Sequence, residues 1–308
     1  MDKAFAKISK KIPLEKKIFK YLIIGSNGLL GNEFKKILNK SIYMTLARNN
    51  SDYNIDLIKF GKLNFFFKKY KFLNVINCAG ITDLNYCEKN FKKCKKINSD
   101  LLKHLTTLST KYNFKLVHIS TDHFFKNEKF KLNKENFTKV AINKYALSKL
   151  IAEKYVKKNK NNLIIRTNFT GFKFNNISST FVGWLLDGIN KKKKLSLFED
   201  MFTSTLDVNS CTTVIKKLIE CNASGVYNVG TKNAISKKNF AILFAKKIKK
   251  KISYEQVSSQ KLDIKRGKYL GLDTNKTEKK LNIKMINSNT AILKLAKLAY
   301  KYNEDYRN

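Results

Sequence analysis

Tyr145 and Lys149 stand four residues apart in the stretch Asn143-Lys-Tyr-Ala-Leu-Ser-Lys149. On a helix that spacing puts both side chains on one face, one turn apart. A neighbouring ammonium favours the phenolate, so Lys149 is expected to lower the Tyr145 pKa from its reference of about 10. A phenol tuned in that way can hand a proton to an oxygen near neutral pH. Tyr-x-x-x-Lys alone arises easily by chance in so lysine-rich a chain. Two features upstream give it weight: the glycine-rich segment Gly25 to Gly31, and Ser120-Thr121-Asp122 at the end of an apolar run.

The run Lys115-Leu-Val-His-Ile119 reads as a buried strand, which places Thr121 at its C-terminal end. Ligands of doubly wound sheets bind outside such strand ends. A hydroxyl there can hydrogen-bond a carbonyl oxygen while Tyr145 protonates it. Hydride delivered from a nicotinamide to the carbonyl carbon would create a developing alkoxide, which these groups would stabilise. Lys149 would also hold the nicotinamide ribose. Asp122 reads as a loop-ordering carboxylate rather than an acid catalyst.

Gly25-Ser-Asn-Gly28-Leu-Leu-Gly31 follows the apolar run Tyr21-Leu-Ile-Ile24 and precedes a helical pattern carrying Phe34, Ile37 and Leu38. Strand, tight turn and helix start are what a dinucleotide pyrophosphate needs: Gly25 permits the turn, Gly28 lets the backbone approach the phosphates, and Gly31 allows close helix packing. Glycines that merely shape a turn are the weaker reading in this setting. The second strand, Ile42 to Ala47, ends at Arg48. An acid in that place would hold a ribose 2′-OH, whereas Arg48 suits the 2′-phosphate of NADP. NADPH is therefore favoured and NAD stays open, since Arg48 can also be one more surface cation. Asp56 and Leu57 are expected at the adenine.

The elements that must position these groups alternate. A helix near Lys62 to Tyr70 precedes a strand at Asn74 to Asn77, a long helix covers Phe91 to Tyr112, and the helix of Tyr145 runs on to Lys158 before a strand at Leu163 to Ile165. Such alternation predicts an α/β fold built on a doubly wound parallel Rossmann sheet. Residues 21–170 would form the NAD(P)-binding domain, joined by a strand near 226–229. Residues 171–308, with helices over Lys237 to Lys250 and Ser288 to Tyr300, would be mainly a smaller substrate-binding lobe. No Pro/Gly/Ser linker separates the two, so an intertwined arrangement is expected. Residues 1–20 read as a basic extension.

The chain has 308 residues and a net charge of +40. No apolar run approaches the roughly 20 residues of a membrane span, and the N-terminal stretch lacks the apolar core of a signal peptide. A cytoplasmic protein without membrane attachment is expected. Of the 63 basic residues only Arg48, Arg166, Arg266 and Arg307 are arginines. Nucleic-acid readers lean on arginine for its bidentate fork. The lysines are spread along the whole chain and accompany a single proline, Pro13. This composition looks like a codon bias, and no specific nucleic-acid partner is expected. The five cysteines form no Cys-x-x-Cys pair and, with the three histidines, no ligand pattern; free thiols and no metal are expected.

With these motifs in place, the chain resembles the extended short-chain dehydrogenases/reductases, and within them the dTDP-4-dehydrorhamnose reductase family. The resemblance runs from Tyr21 to about Asn282. It rests on the glycine turn, Val75-Ile-Asn-Cys-Ala-Gly-Ile-Thr82 with Glu88, Ile119-Ser-Thr-Asp122, Asn143 to Lys149, Ile165-Arg-Thr167, Gly225-Val-Tyr-Asn228 and Leu272-Asp-Thr274. It implies NADPH-dependent reduction of the 4-keto group of a nucleotide-linked 6-deoxy-hexulose, with Thr121, Tyr145 and Lys149 as the catalytic trio. The cofactor would lie along Gly25, Asn27, Gly28, Leu29, Leu30 and Gly31, then Cys78, Ala79, Gly80 and Thr82. Thr82, Thr121, Asp122, Arg166, Phe169 and Phe202 would border the sugar nucleotide, and Arg266 would take its diphosphate.

Several family features are absent. Prolines near Ala141, Ser204-Thr205 and Gly267 are missing, and Asn168 stands where a serine is usual. These changes lie on the substrate side. Thr121-Asp122-His123 lacks the Asp-Glu pair of a dehydratase. An epimerase of the same superfamily and a non-catalytic regulatory subunit are the other readings, and a homodimer stays open.

Overall fold

The computed structural model describes residues 18–125, 131–173 and 179–305. Most of the basic extension lies outside these residues, but its last three join the first strand, β1 (Ile18–Ile24). In chain order there follow α1 (Leu29–Ile37), β2 (Tyr43–Ala47), β3 (Tyr53–Asn54), α2 (Phe60–Lys69), β4 (Lys71–Asn77), α3 (Leu84–Lys89), α4 (Phe91–Lys95), a π turn at Lys96–Asp100, α5 (Leu101–Tyr112), β5 (Lys115–Ile119) and α6 (Lys144–Val156). The second half holds β6 (Leu163–Thr167), β7 (Phe169–Thr170), α7 (Phe181–Asn190), β8 (Leu195–Phe198), β9 (Phe202–Thr203), β10 (Leu206–Asp207), α8 (Val208–Glu220), β11 (Gly225–Val229), β12 (Ile235–Ser236), α9 (Lys237–Lys247), β13 (Tyr254–Val257), α10 (Asn275–Leu281) and α11 (Ser288–Asp305).

Seven strands form one parallel sheet in the order β11-β6-β5-β4-β1-β2-β3. Its central strands are buried on both faces, which is why Tyr21-Leu-Ile-Ile24 and Leu163-Ile-Ile165 read as unbroken apolar runs. On one face Phe34, Ile215 and Leu218 pack over Ile23 and Ile165. On the other, Phe66, Leu105 and Val156 cover Leu22 and Val75. The strand order reverses between β1 and β4, and a crevice at that switch point is where such sheets bind ligands. β11 comes late in sequence but pairs with β6 as an edge strand of the same sheet.

A third core joins Leu185, Leu186, Phe240, Phe244, Ile292 and Leu295 from α7, α9 and α11. Three two-stranded sheets, β10 with β7, β12 with β9, and β13 with β8, lie outside the main sheet. Among the described residues no helix is long and apolar enough to cross a membrane.

The predicted long helix over Phe91 to Tyr112 is interrupted by the π turn, which swings Asn98 inward. The expectation of free thiols fails at one pair. Cys87 and Cys94 form a disulfide, because the turn from α3 into α4 brings their Cα atoms to 5.4 Å. Cys78, Cys211 and Cys221 are free.

Candidate active site

The turn after β1 is dictated by glycine. Gly25 has φ +75°, and a Cβ there would meet the Ala79 nitrogen at 2.6 Å. A Cβ on Gly31 would sit 2.5 Å from the Gly25 carbonyl oxygen. The first position needs the left-handed region and the second needs close packing of α1 on the turn. Gly28 is the N-cap of α1, and its carbonyl accepts from the Asn32 N–H at 2.9 Å. The first N–H groups of the helix are left to face the crevice.

Asn27 donates to the Asn49 carbonyl at 2.6 Å, tying the turn to the segment after β2. Arg48 is exposed beside it. Asp52 is turned away, accepting from Lys40 and from the Thr45 N–H and hydroxyl. Asp56 is half-buried and accepts from the Ile58 N–H at 3.3 Å, while Leu57 is buried. Cys78, Ala79 and Gly80 leave the end of β4, with the Cys78 N–H bonded to Ile24 at 2.9 Å; Thr82 is exposed further along the same loop.

Sequence reasoning missed what shapes that loop. Asn98, fully buried, accepts from the Ile81 N–H at 2.8 Å and donates to the Ile81 carbonyl at 2.9 Å and the Ser148 hydroxyl at 3.0 Å. An asparagine within a long helical pattern disfavours the helix, and that local misfit was the available signal.

α6 starts at Asn143, whose side chain accepts from the Ala146 N–H at 2.8 Å as an N-cap. Its inward stripe is polar: Tyr145, Lys149 and Glu153, one turn apart, each meet the end of β5. Tyr145 shares a hydrogen bond with Thr121. The Lys149 ammonium donates to the Ile119 carbonyl at 2.9 Å. The Glu153 carboxylate accepts from the Ser120 hydroxyl at 2.8 Å.

The expected lowering of the Tyr145 pKa is overturned. Burial pushes the phenol up to about 12, the Thr121 hydrogen bond pulls it back only partly, and the Asp122 charge adds to the rise. Burial also brings Lys149 down to about 8, against the opposing pull of Cys78 and Glu153. Desolvation, which a sequence does not display, sets the direction.

Arg166 does not border the cleft. It is fully buried in β6, giving Nε and Nη2 to Glu153 at 2.9 and 2.7 Å and Nη1 to the Glu135 carbonyl at 2.8 Å, between the rings of Phe124 and Phe125. β6 is buried along its whole length, so the charge must be matched internally. Asp122 is likewise sealed: it accepts from Asn168 at 2.9 Å, and burial raises its pKa. Its carboxylate also accepts from the Thr121 hydroxyl at 3.4 Å, which orders the loop.

Around the mouth stand Phe169 and Phe202, both half-buried, the latter stacked on Tyr269 at 5.2 Å. Three further polar groups face the same region. The His123 ring meets Tyr145 edge-on at 5.6 Å. Lys237, at the start of α9, approaches the Thr205 hydroxyl at 3.4 Å. Arg266 lies 6.0 Å from the Phe198 ring with its Nε buried and unbonded among the described residues. Of these only Arg266 was expected.

The family model described as RmlD substrate binding domain matches residues 19–300. The chain belongs to this family. A curated relative from Haloferax volcanii, the probable low-salt glycan biosynthesis reductase Agl14, is 24% identical over 71% of this chain and 76% of its own length. Among solved structures, a hypothetical dTDP-4-dehydrorhamnose reductase from Sulfolobus tokodaii is 27% identical, with a TM-score of 0.78 over 87% of this chain and 97% of that one. The fold is shared with the dTDP-4-dehydrorhamnose reductase of Bacillus anthracis in complex with NADP, 24% identical, with a TM-score of 0.80 over 91% of this chain and 98% of that one. The RmlD-like chain thus places its glycine turn and the Thr121, Tyr145 and Lys149 side chains on a fold shared with reductases.

Proposed function

We propose that this protein reduces the 4-keto group of a nucleotide-linked 6-deoxy-hexulose with NADPH, in the making of a deoxysugar for a glycan or surface polysaccharide. The observation that carries the reading is the alignment of Tyr145 and Lys149 with Thr121 at the carboxyl end of β5, beside the glycine turn of β1. The cofactor fits the residues present: Gly25 leaves room for a backbone turn, the α1 N-terminus offers N–H groups to a pyrophosphate, and Arg48 offers a cation to a 2′-phosphate. The solved relative carrying NADP supports the choice of cofactor.

NADPH, when bound, would supply the hydride. The Tyr145 phenol, protonated throughout the neutral range, would give its proton to the carbonyl oxygen as charge develops there. The Thr121 hydroxyl would hold that oxygen. The Lys149 ammonium, charged below about pH 8, would hold the nicotinamide ribose and favour the developing tyrosinate. Residues 21–170 with the strand near 226–229 would serve the cofactor, and the rest mainly the sugar nucleotide.

NADPH oxidation by purified protein given a dTDP-4-keto-6-deoxy-hexose tests this, with Tyr145→Phe as control. Turnover abolished by the substitution is the expected result. NADPH binding without hydride transfer to that or any other 4-keto sugar nucleotide would sink the reductase assignment.

A further inference from the structure

Cys87 and Cys94 are bonded to one another where two short helices meet. Cys87 is the one buried residue of α3, which has 6 residues, and Cys94 the one buried residue of α4, which has 5. Helices that short have little stability of their own in water. What they bury is the two sulfurs, packed with Tyr145 in a small cluster against Ile81 and Leu84.

Around the bond lie the groups that shape the cofactor loop. The Cys94 sulfur accepts from Asn98 Nδ2 at 3.3 Å and lies 3.7 Å from the Ser148 hydroxyl oxygen. The Cys87 sulfur lies 3.9 Å from the Ile81 carbonyl oxygen. That carbonyl and the Ser148 hydroxyl are the two oxygens that Asn98 Nδ2 serves, at 2.9 and 3.0 Å. One residue past Cys87, the Glu88 carboxylate accepts from the Lys144 N–H at 2.7 Å, which ties α3 to the first turn of α6 beside Tyr145.

Reduction changes both packing and hydrogen bonding at this place. A dithiol supplies two electrons and two protons and leaves as its cyclic disulfide; the Cys87–Cys94 bond breaks and two thiols form. The sulfurs must then part to non-bonded distance although both cysteines are sealed from solvent, in an interior with little spare volume. Each new S–H is a weak donor, within reach of an oxygen that Asn98 already holds. Both effects fall on Ile81 and Ser148. The outer face of α3, at Asn85, Tyr86 and Lys89, is exposed, so local opening of one short helix admits the dithiol.

We propose that the Cys87–Cys94 pair is a thiol–disulfide switch that sets how firmly the Ile81 loop holds the cofactor, the disulfide being the tight-binding state and the dithiol the loose one. This rests on the cofactor reading above. The bond keeps α3 and α4 together, and Asn98 follows α4 directly through the π turn. By linkage, NADPH must oppose reduction of the pair by the same factor that reduction weakens NADPH.

The test compares NADPH binding, read by nucleotide fluorescence, in the disulfide form of the full chain and after dithiothreitol. Alkylation of the denatured chain identifies each form: three thiols (Cys78, Cys211, Cys221) against all five. Reduction should weaken NADPH about 10-fold and speed amide exchange at Ile81. Saturating NADPH should make the pair about 10-fold harder to reduce in a dithiol buffer. The double variant Cys87→Ala with Cys94→Ala should bind NADPH with one affinity, dithiothreitol or not.

Equal NADPH affinity and equal Ile81 exchange in the two forms would overturn the switch and leave the cofactor reading intact, even if the double variant failed to fold. A dithiothreitol effect that persists in the double variant would move the redox sensitivity to Cys78 and overturn it too. Five thiols that an added disulfide oxidant cannot reduce to three would remove the oxidised state altogether. A chain that binds NADPH in neither form would overturn the cofactor reading, and the switch with it.

Discussion

The Lys149 ammonium donates to the Ile119 carbonyl at 2.9 Å, so the turn of α6 that carries the lysine is fastened to the last residue of β5. Tyr145 and Glu153, one turn on either side, fasten to Thr121 and Ser120. Three successive turns of one helix thus read three successive residues at one strand end. The arrangement fixes the phenol relative to the strand-end hydroxyl with no loop between them.

The titration of this stripe sets the pH dependence. In reduction the phenol must be protonated and the ammonium charged. Tyr145 at about 12 keeps its proton across the accessible range, so it should give no limb of its own near neutrality. Lys149 at about 8 loses its charge as pH rises through that value. The profile of kcat/KM, which reports groups of the free enzyme, should therefore fall above pH 8 with a slope of one proton. A profile flat to pH 10 would contradict the assignment of Lys149.

Asn98 offers a separate test, because it acts through the loop at Ile81 and not on substrate. Asn98→Ala leaves the half-buried Ile81 N–H and carbonyl without their partners, and each group so stranded costs about 1 kcal/mol. The expected outcome is weaker NADPH binding, read by nucleotide fluorescence, together with faster amide exchange at Ile81. Asn98→Asp should be worse, since it replaces the donor to Ser148 and Ile81 by an acceptor.

Much of this geometry was legible in the sequence. The glycine turn, the i and i+4 placement of Tyr145 and Lys149, and the apolar runs that become central strands are all local patterns. What could not be read is non-local. Arg166 finds Glu153 across the packing of β6 on α6, a pairing no spacing announces. The Tyr145 pKa depends on how completely the cleft excludes water. Asn98 needs the π turn to face inward. The Cys87–Cys94 bond follows from the turn between α3 and α4.

The Arg48 reading is decided by cofactor preference. It stands exposed at the end of β2, next to the Asn27–Asn49 contact. If it meets a 2′-phosphate, Arg48→Ala should raise KM for NADPH by about 10-fold or more, the loss of a charge-assisted hydrogen bond. KM for NADH should hardly move. Equal effects on both cofactors, or none on either, would make Arg48 one more surface cation.

Arg166 tests the corrected view of the core. Burial pushes the Glu153 carboxyl up, yet the Arg166 hydrogen bonds and charge outweigh this and hold it below its usual range, with help from Ser120 and Lys157. A carboxyl lowered in the folded state contributes stability above its unfolded value of 4.5 and loses it as pH falls through the folded value. Arg166→Met should leave Glu153 as a buried charge with only the long 3.8 Å contact to Lys157 and destabilise the protein at pH 7 by about 3–5 kcal/mol. Adding Glu153→Gln should recover part of that loss, because no buried charge then remains. In denaturant titrations Arg166→Met alone should also be relatively less impaired at pH 5, where a stranded carboxyl takes up a proton more readily, than at pH 7.5. A residue that merely bound substrate would leave stability unchanged and raise KM, the opposite signature.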